Sequence, residues 1–394
     1  MMDALLGDPE VIDAVAVLSD GGSPEERAAR AAWSVVAEPG DGVAGALIGE
    51  LGAAEALRFA VATSSEDRAV AGASEQARGA IAEARARWKP RADARAVRDA
   101  LVAATHVGAR LVVPGDATWP SRLADLGVHA PAALWVRGDP AHLVAARAVS
   151  VVGARAATAY GEHVAAELAG DLAAGAVVVS GGAYGIDGAA HRAALGTGGV
   201  TVAFLAGGVD RAYPAGHQQL FARITTTGTV VSELPCGAAP TKWRFLARNR
   251  LIAALGDATV VVEAGWRSGS LNTAGHAAAL GRPLGAVPGP VTSAASAGCH
   301  RLMREYDARC VTSAAEVREL AGYESTDAYD PERPDHDRTR LLDALSPRSR
   351  RSVMDLARRS GLSQARVTAL LGILSLEGFV AGEENGWRRV TTAG

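Results

Sequence analysis

Between residues 106 and 322 the sequence keeps switching between two periods. Short apolar, mostly β-branched runs occur at 111–113, 150–154, 177–181, 201–207, 229–234, 258–265 and 283–289. Between them, at 159–174, 187–196, 216–224, 244–255 and 270–281, apolar residues recur at helical spacing. Several runs are apolar at successive positions, as in strands covered on both faces. Strand and helix repeating in this order predict an α/β fold, a Rossmann-like, doubly wound and mostly parallel sheet.

The flanks differ. Residues 1–105 predict short helices at 26–36, 43–52, 52–60 and 75–87, with Pro39, Gly40 and Gly42 breaking the chain after the first. This is a small N-terminal helical domain of the SAM or helix-hairpin kind, without visible chemistry. Residues 323–338 hold six acidic and two basic residues, two prolines and almost no aliphatic side chains, as in a solvated linker. Residues 339–394 predict three helices, then strands at 379–382 and 387–390 joined by a turn at Asn385-Gly386. That is a C-terminal winged-helix pattern, with Ser363 as N-cap of its third helix.

Composition removes several alternatives. The chain's net charge is −3, so a nucleic-acid site must be a local patch. Aromatic residues are 5% of the chain, which argues against stacked aromatics as the main binding device. Cys236, Cys299 and Cys310 are the three cysteines, with no metal-type spacing; neither a disulfide scaffold nor a bound metal is expected. No run approaches a membrane span, and Asp3, Asp8, Glu10 and Asp13 do not fit a signal peptide, so a cytoplasmic location with no membrane partner is expected. Arginine outnumbers lysine 38 to two, which singles out Lys242.

In an open α/β sheet, ligands sit beyond the carboxyl ends of the strands. Four loops fall there. One carries Arg155; one runs Ser180-Gly181-Gly182-Ala183-Tyr184-Gly185-Ile186-Asp187; one runs through Gly207, Gly208 and Asp210 to Tyr213; one carries Arg267, Ser268, Gly269 and Ser270. A glycine loop opening a helix exposes backbone N–H groups beside a positive dipole end, which suits phosphate, and Arg155 would clamp it. The glycines equally suit tight strand–helix packing. The spacing matches neither GxGxxG nor a P-loop, so neither NAD nor ATP is encoded, and no cofactor is expected. Asp187 is expected to cap its helix and hold the glycine loop.

A second signal is Lys242-Trp243-Arg244-Phe245-Leu246-Ala247-Arg248-Asn249-Arg250, four cations and two aromatics in nine residues. Such density suits successive phosphates, with Trp243 or Phe245 stacking on a base. Alternatively the aromatics enter the core while the arginines cap carbonyls and pair with Glu233. Evidence for catalysis is thin, since no histidine or cysteine is placed to act with Glu263 or Asp187.

The runs SGGAYGIDGAAH (180–191), RNRLIAAL (248–255) and SGSLNTAGHAAALGRPLGAVPG (268–289), with GARAATAYG (153–161) and GGVDRAYP (207–214), resemble the DNA-processing protein A family, DprA or Smf. The likeness spans the middle domain and extends more weakly to both flanks. It implies a Rossmann-like domain that binds single-stranded DNA in natural transformation and recombination. It also implies protection of the strand, help in loading the RecA recombinase, a homodimer, and no established catalytic activity. By position, Arg155 and Lys242 match basic residues implicated in DNA contact, the 180–187 loop matches a phosphate-binding loop, and Arg248, Asn249 and Arg250 match an RNR motif. Ala215 and His217 stand where the family commonly has a basic residue and an Asn. Residues 298–303 depart from its Gly-x-Asn segment.

Three readings remain. The first is a non-catalytic single-stranded DNA binder using Arg155, Ser180, Gly181, Gly182, Gly185, Lys242, Arg244, Arg248, Asn249, Arg250, Ser268, Gly269 and Ser270. The second is a nucleotide or sugar-phosphate hydrolase of the lysine-decarboxylase-like group with Glu263 as acid, though its PGGxGTxxE signature is missing. The third is a transcription regulator led by residues 339–394. Its third helix has few cations beyond Arg366, which makes major-groove readout weak.

Overall fold

The computed structural model describes residues 5–62, 74–323, 336–376, 378–383 and 386–390. They form two compact units.

The first unit begins with helices α1 (Pro9–Leu18), α2 (Pro24–Val36), α3 (Gly42–Leu51), α4 (Ala53–Val61), α5 (Glu75–Trp88) and α6 (Ala94–His106). Side-chain caps from Asp8, Ser23, Asp41, Ser74 and Asp93 start five of them by accepting first-turn N–H groups. The helices share an apolar core with the sheet, in which Trp33, Leu57 and Trp88 pack with Leu111, Trp135 and Phe221. Each buried indole N–H finds an acceptor: Trp33 on the Ala53 carbonyl at 3.0 Å, Trp88 on Asp41 at 3.0 Å, Trp135 on the Ser34 hydroxyl at 3.2 Å. A buried Arg27–Asp116 ion pair joins helix α2 to the segment after the first strand.

The strands are β1 (Arg110–Val112), β2 (Leu134–Gly138), β3 (Ala148–Val152), β4 (Val177–Ser180), β5 (Thr201–Phe204), β6 (Thr229–Ser232), β7 (Ala258–Val261), β8 (Leu284–Ala286) and β9 (Arg309–Cys310). They form one sheet in the order β1-β2-β6-β5-β4-β3-β7-β8-β9. From β6 to β9 every pairing is parallel; β2 joins β6, and β1 joins β2, antiparallel. The predicted doubly wound, mostly parallel sheet is therefore present, extended at one edge by β1 and β2. The intervening helices are α7 (Ala159–Leu172), α8 (Ile186–Gly196), α9 (Gln218–Thr227), α10 (Lys242–Leu255), α11 (Ser270–Ala279), α12 (Ala297–Glu305) and α13 (Ala314–Leu320). Alternation along β3 sends Val149 and Val151 to the face covered by α7, α8 and α13, and Ala148 and Val152 to the face covered by α10 and α11.

The acidic stretch expected as a linker lies largely outside the described residues. Its first residue, Tyr323, is anchored to the sheet unit through its hydroxyl, which donates to Asp257 at 2.6 Å.

The second unit comprises α14 (His336–Ala344), α15 (Val353–Ser360), α16 (Gln364–Leu376) and the antiparallel pair β10 (Val380–Glu383) and β11 (Gly386–Arg389). Leu341, Leu356, Val367, Leu371, Leu374 and Val380 form its core. The Ser363 hydroxyl accepts the Arg366 N–H at 3.2 Å, capping α16 as expected. Three helices and a two-stranded wing make this a winged helix. Of the predicted wing turn, Asn385 lies outside the described residues.

Candidate nucleic-acid interface

From β3 the chain steps through β4 and β5 to β6 on one side, then crosses by α10 to β7 on the other side of β3. The loops after β3 and β7 therefore diverge, which opens a crevice at the carboxyl edge. A cleft of about 840 Å³ lies there, lined by residues 153–156, the start of α10, and Arg267 to Ser270.

Glu263, just beyond β7, ties the two loops together. Its carboxylate accepts the Thr158 N–H and the Thr158 hydroxyl, each at 2.8 Å, and its carbonyl accepts the Ala154 N–H at 2.7 Å. A Cβ at Gly161 would stand 2.5 Å from Oε2, so only glycine lets α7 approach this strut. Both Glu263 oxygens are thus committed, the side chain is buried, and it is not among the cleft's lining residues.

The glycine loop sits beneath the cleft, and two of its amides are engaged inside the protein. Buried Asp187 accepts the N–H groups of Gly181 at 3.1 Å and Ala183 at 3.4 Å. It holds the loop as expected, but α8 itself is capped by Gly185, with no side-chain hydrogen bond. Burial pushes the Asp187 carboxyl up, opposed by Arg248 and the loop amides. Gly185 has φ of 71°, and a Cβ there would lie 2.3 Å from the Ala154 carbonyl, so the glycine lets this loop pack on the Arg155 loop. His217, at one of the departures from the family pattern, seats its Nδ1 3.0 Å from the Gly182 carbonyl.

Helix α10 distributes its cations in different directions. Arg248 is buried at the cleft floor, where Nη1 donates to the Phe204 carbonyl at 2.7 Å. Burial lowers its pKa to about 10, Asp187 opposing the drop and Arg155 adding to it. Arg250 is turned inward and makes an ion pair of 2.7 Å with Glu233. Arg244 reaches back to Glu38 with two contacts of 3.0 Å. Burial acts to raise the Glu38 carboxyl, but Arg244 and Arg91 outweigh it and hold it below its usual range. Asn249 braces α10 against α11 by donating to Asn272 Oδ1 at 3.1 Å and the Gly269 carbonyl at 3.4 Å.

That leaves Arg155, Lys242 and Arg267 as exposed cations on one cleft. Among the described residues no carboxylate lies within ion-pair distance of them. The Arg155 guanidinium lies 4.5 Å from the centroid of the Phe245 ring, which also has Tyr213 at 5.5 Å and the Arg248 guanidinium at 5.9 Å. The aromatics of the α10 segment therefore stay out of the core: Phe245 walls the cleft and Trp243 faces solvent.

Of the residues expected from sequence, the structure gathers Arg155, Lys242, Arg248, Asn249, Ser268, Gly269 and Ser270 around this cleft. Gly181, Gly182 and Gly185 lie beneath it. Ser180 is buried and donates to the Val151 carbonyl at 2.6 Å, Arg250 is buried in its ion pair, and Arg244 is drawn aside to Glu38. Sequence reasoning did not weigh Arg267 as a ligand, although it directly precedes Ser268 at a strand end.

Known proteins share this organisation. The DNA recombination-mediator protein A family matches residues 110–322, and the DprA winged helix domain matches residues 325–386. A DprA relative from Mycobacterium tuberculosis is 49% identical over 302 residues, covering 71% of this chain and 77% of its own. Protein Smf of Escherichia coli is 34% identical over 300 residues, covering 72% and 78%. Among solved structures, DprA from Streptococcus pneumoniae superposes with a TM-score of 0.55 at 35% identity, over 62% of this chain and 86% of that one. DprA from Helicobacter pylori, a protein studied for its single-stranded DNA binding mode, gives 0.51 at 29% identity, over 56% and 99%. This chain belongs to the DNA-processing protein A (DprA/Smf) family.

Proposed function

We propose that this protein binds single-stranded DNA without catalysing a reaction on it, and that it acts in DNA uptake and recombination by shielding the strand and passing it to the RecA recombinase. The observation that carries the binding is the convergence of Arg155, Lys242 and Arg267, none paired with a carboxylate, on one cleft beside Phe245 and Tyr213. Spaced cations suit a polyanion, and a partly open aromatic wall suits an unstacked base of any identity. The RecA step, and a homodimer as the working form, rest on the family resemblance. The non-catalytic reading is supported by the two strand-end carboxylates: both oxygens of Glu263 are held by Thr158, and Asp187, which lines the cleft, accepts the Gly181 and Ala183 N–H groups.

The test is a titration of single- and double-stranded oligonucleotides at several salt concentrations. Three phosphates neutralised on a single strand give a slope of log K against log salt of about −2. A slope near zero, or preference for the duplex, overturns the proposal.

A further inference from the structure

Aromatic side chains are scarce in this chain, yet their exposed members are not scattered. Five of the six exposed aromatics among the described residues of the first unit follow the carboxyl ends of five adjacent parallel strands. Trp243 follows β6, Tyr213 follows β5, Tyr184 follows β4, Tyr160 follows β3 and Trp266 follows β7. That is also the order of the strands across the sheet. Their exposures run from 45% at Tyr160 to 75% at Trp243. Several are held in place: Tyr213 by Phe245, Tyr184 edge-on by His217 at 4.8 Å, Tyr160 by its hydroxyl on the Pro288 carbonyl at 2.7 Å. Arg301 stands 5.1 Å from the Trp266 ring. Folding normally buries Trp, and in the helical part of this unit Trp33 and Trp88 are buried.

The outermost members each sit next in sequence to a cleft cation. Trp243 follows Lys242 and Trp266 precedes Arg267. Neighbouring strands are about 4.8 Å apart, so the five strands set out a row of roughly 19 Å. A row of ring faces joined to backbone-reading cations matches a polymer carrying a flat ring and a negative charge in every unit.

The geometry points to a stacking track for the bases of single-stranded DNA along this rim, with Trp243 and Trp266 as its outer posts beyond the cleft. This rests on the single-stranded DNA reading and adds two contact residues and a span to it. The track is indifferent to base identity, because every base offers a ring face.

The experiment measures anisotropy of labelled oligothymidylates, one of about 4 nucleotides and one of about 20, lengths that bracket common single-strand site sizes. It compares the full-length protein with Trp243→Ala, Trp266→Ala, the two Trp→Phe variants and Lys242→Ala. On the long strand each Trp→Ala variant loses about tenfold in affinity, and Trp→Phe restores most of it. The short strand, confined to the cleft, shows little change. Long-strand binding quenches tryptophan emission in wild type, and the double Trp→Phe variant loses that quenching. If both Trp→Ala variants bind the long strand like wild type while Lys242→Ala does not, the track is wrong and the cleft stands. If Lys242→Ala is also silent, the reading of the cleft itself fails.

Discussion

Individual side chains around the cleft divide into those that hold the rim and those that face solvent from it. Arg155 and Lys242 are of the second kind. Replacing either with Ala should weaken binding roughly five- to tenfold, equally for all base sequences, and reduce the salt slope by about 0.7. Titrations of homopolymers and mixed sequences check this; a loss confined to one base context would contradict it. His191 belongs to neither group, being buried on α8 beside the amino end of β5. Its Nδ1 lies 2.7 Å from the Thr201 hydroxyl, and burial pushes its pKa down to about 3, with His217, Arg248 and Arg192 acting the same way. The imidazole stays neutral in the fold and takes up a proton on unfolding. Its contribution is intact above the ordinary histidine range and is lost as pH falls from about 6.5 toward 3, at up to about 1.4 kcal/mol per pH unit. Urea midpoints should therefore fall between pH 7 and pH 5, and His191→Gln should flatten that fall. Equal slopes in the two proteins would refute the assignment.

At the level of elements, the rim depends on close loop packing. Gly185→Ala places a Cβ against the Ala154 and Arg155 carbonyls in a left-handed conformation. The backbone strain alone costs about 1–3 kcal/mol. Denaturant unfolding should show that loss, and single-strand affinity should drop because the Arg155 loop shifts. Strands β3 to β8 and helices α7 to α11 were legible because each apolar run alternates with a helical period, whereas α12 and α13 were not read from the sequence. Strand β2 was not: residues 134–138 pair antiparallel at the edge and connect onward without a full helix, so the alternating pattern has no place for them. Strand β9 has two residues, too short for any periodicity. The cleft was legible in Arg155, Lys242 and the 268–270 loop, because strand ends are where such loops meet. The glycine loop was legible as a tight turn into a helix, but that Asp187, a few residues on, takes the Gly181 and Ala183 N–H groups was decided by the fold. The fate of Arg250 turned on Glu233, weighed as one alternative and decided only by the fold.

For the whole molecule, net charge and local charge point in opposite directions. The chain carries −3 overall, so the attraction for a polyanion is local to the cleft and short-ranged, falling off within about 10 Å at 0.1 M salt. The winged-helix unit has its own core and caps. Removing residues 336–394 should leave most single-strand affinity in the remaining unit, measured by the same titration beside a check that the unit stays folded. Abolished binding by a folded truncation would place the site in the other unit.

Asp187 leaves one further mark on how this protein works. It occupies the Gly181 and Ala183 amides, so under the proposed single-strand reading those two cannot clasp a sugar–phosphate chain, and more of the grip falls to long, mobile side chains reaching from the surface. Such a hold loosens in small steps. On the proposed reading, a rival polymerising on the same strand would peel it away one contact after another, without first prising open a fitted socket.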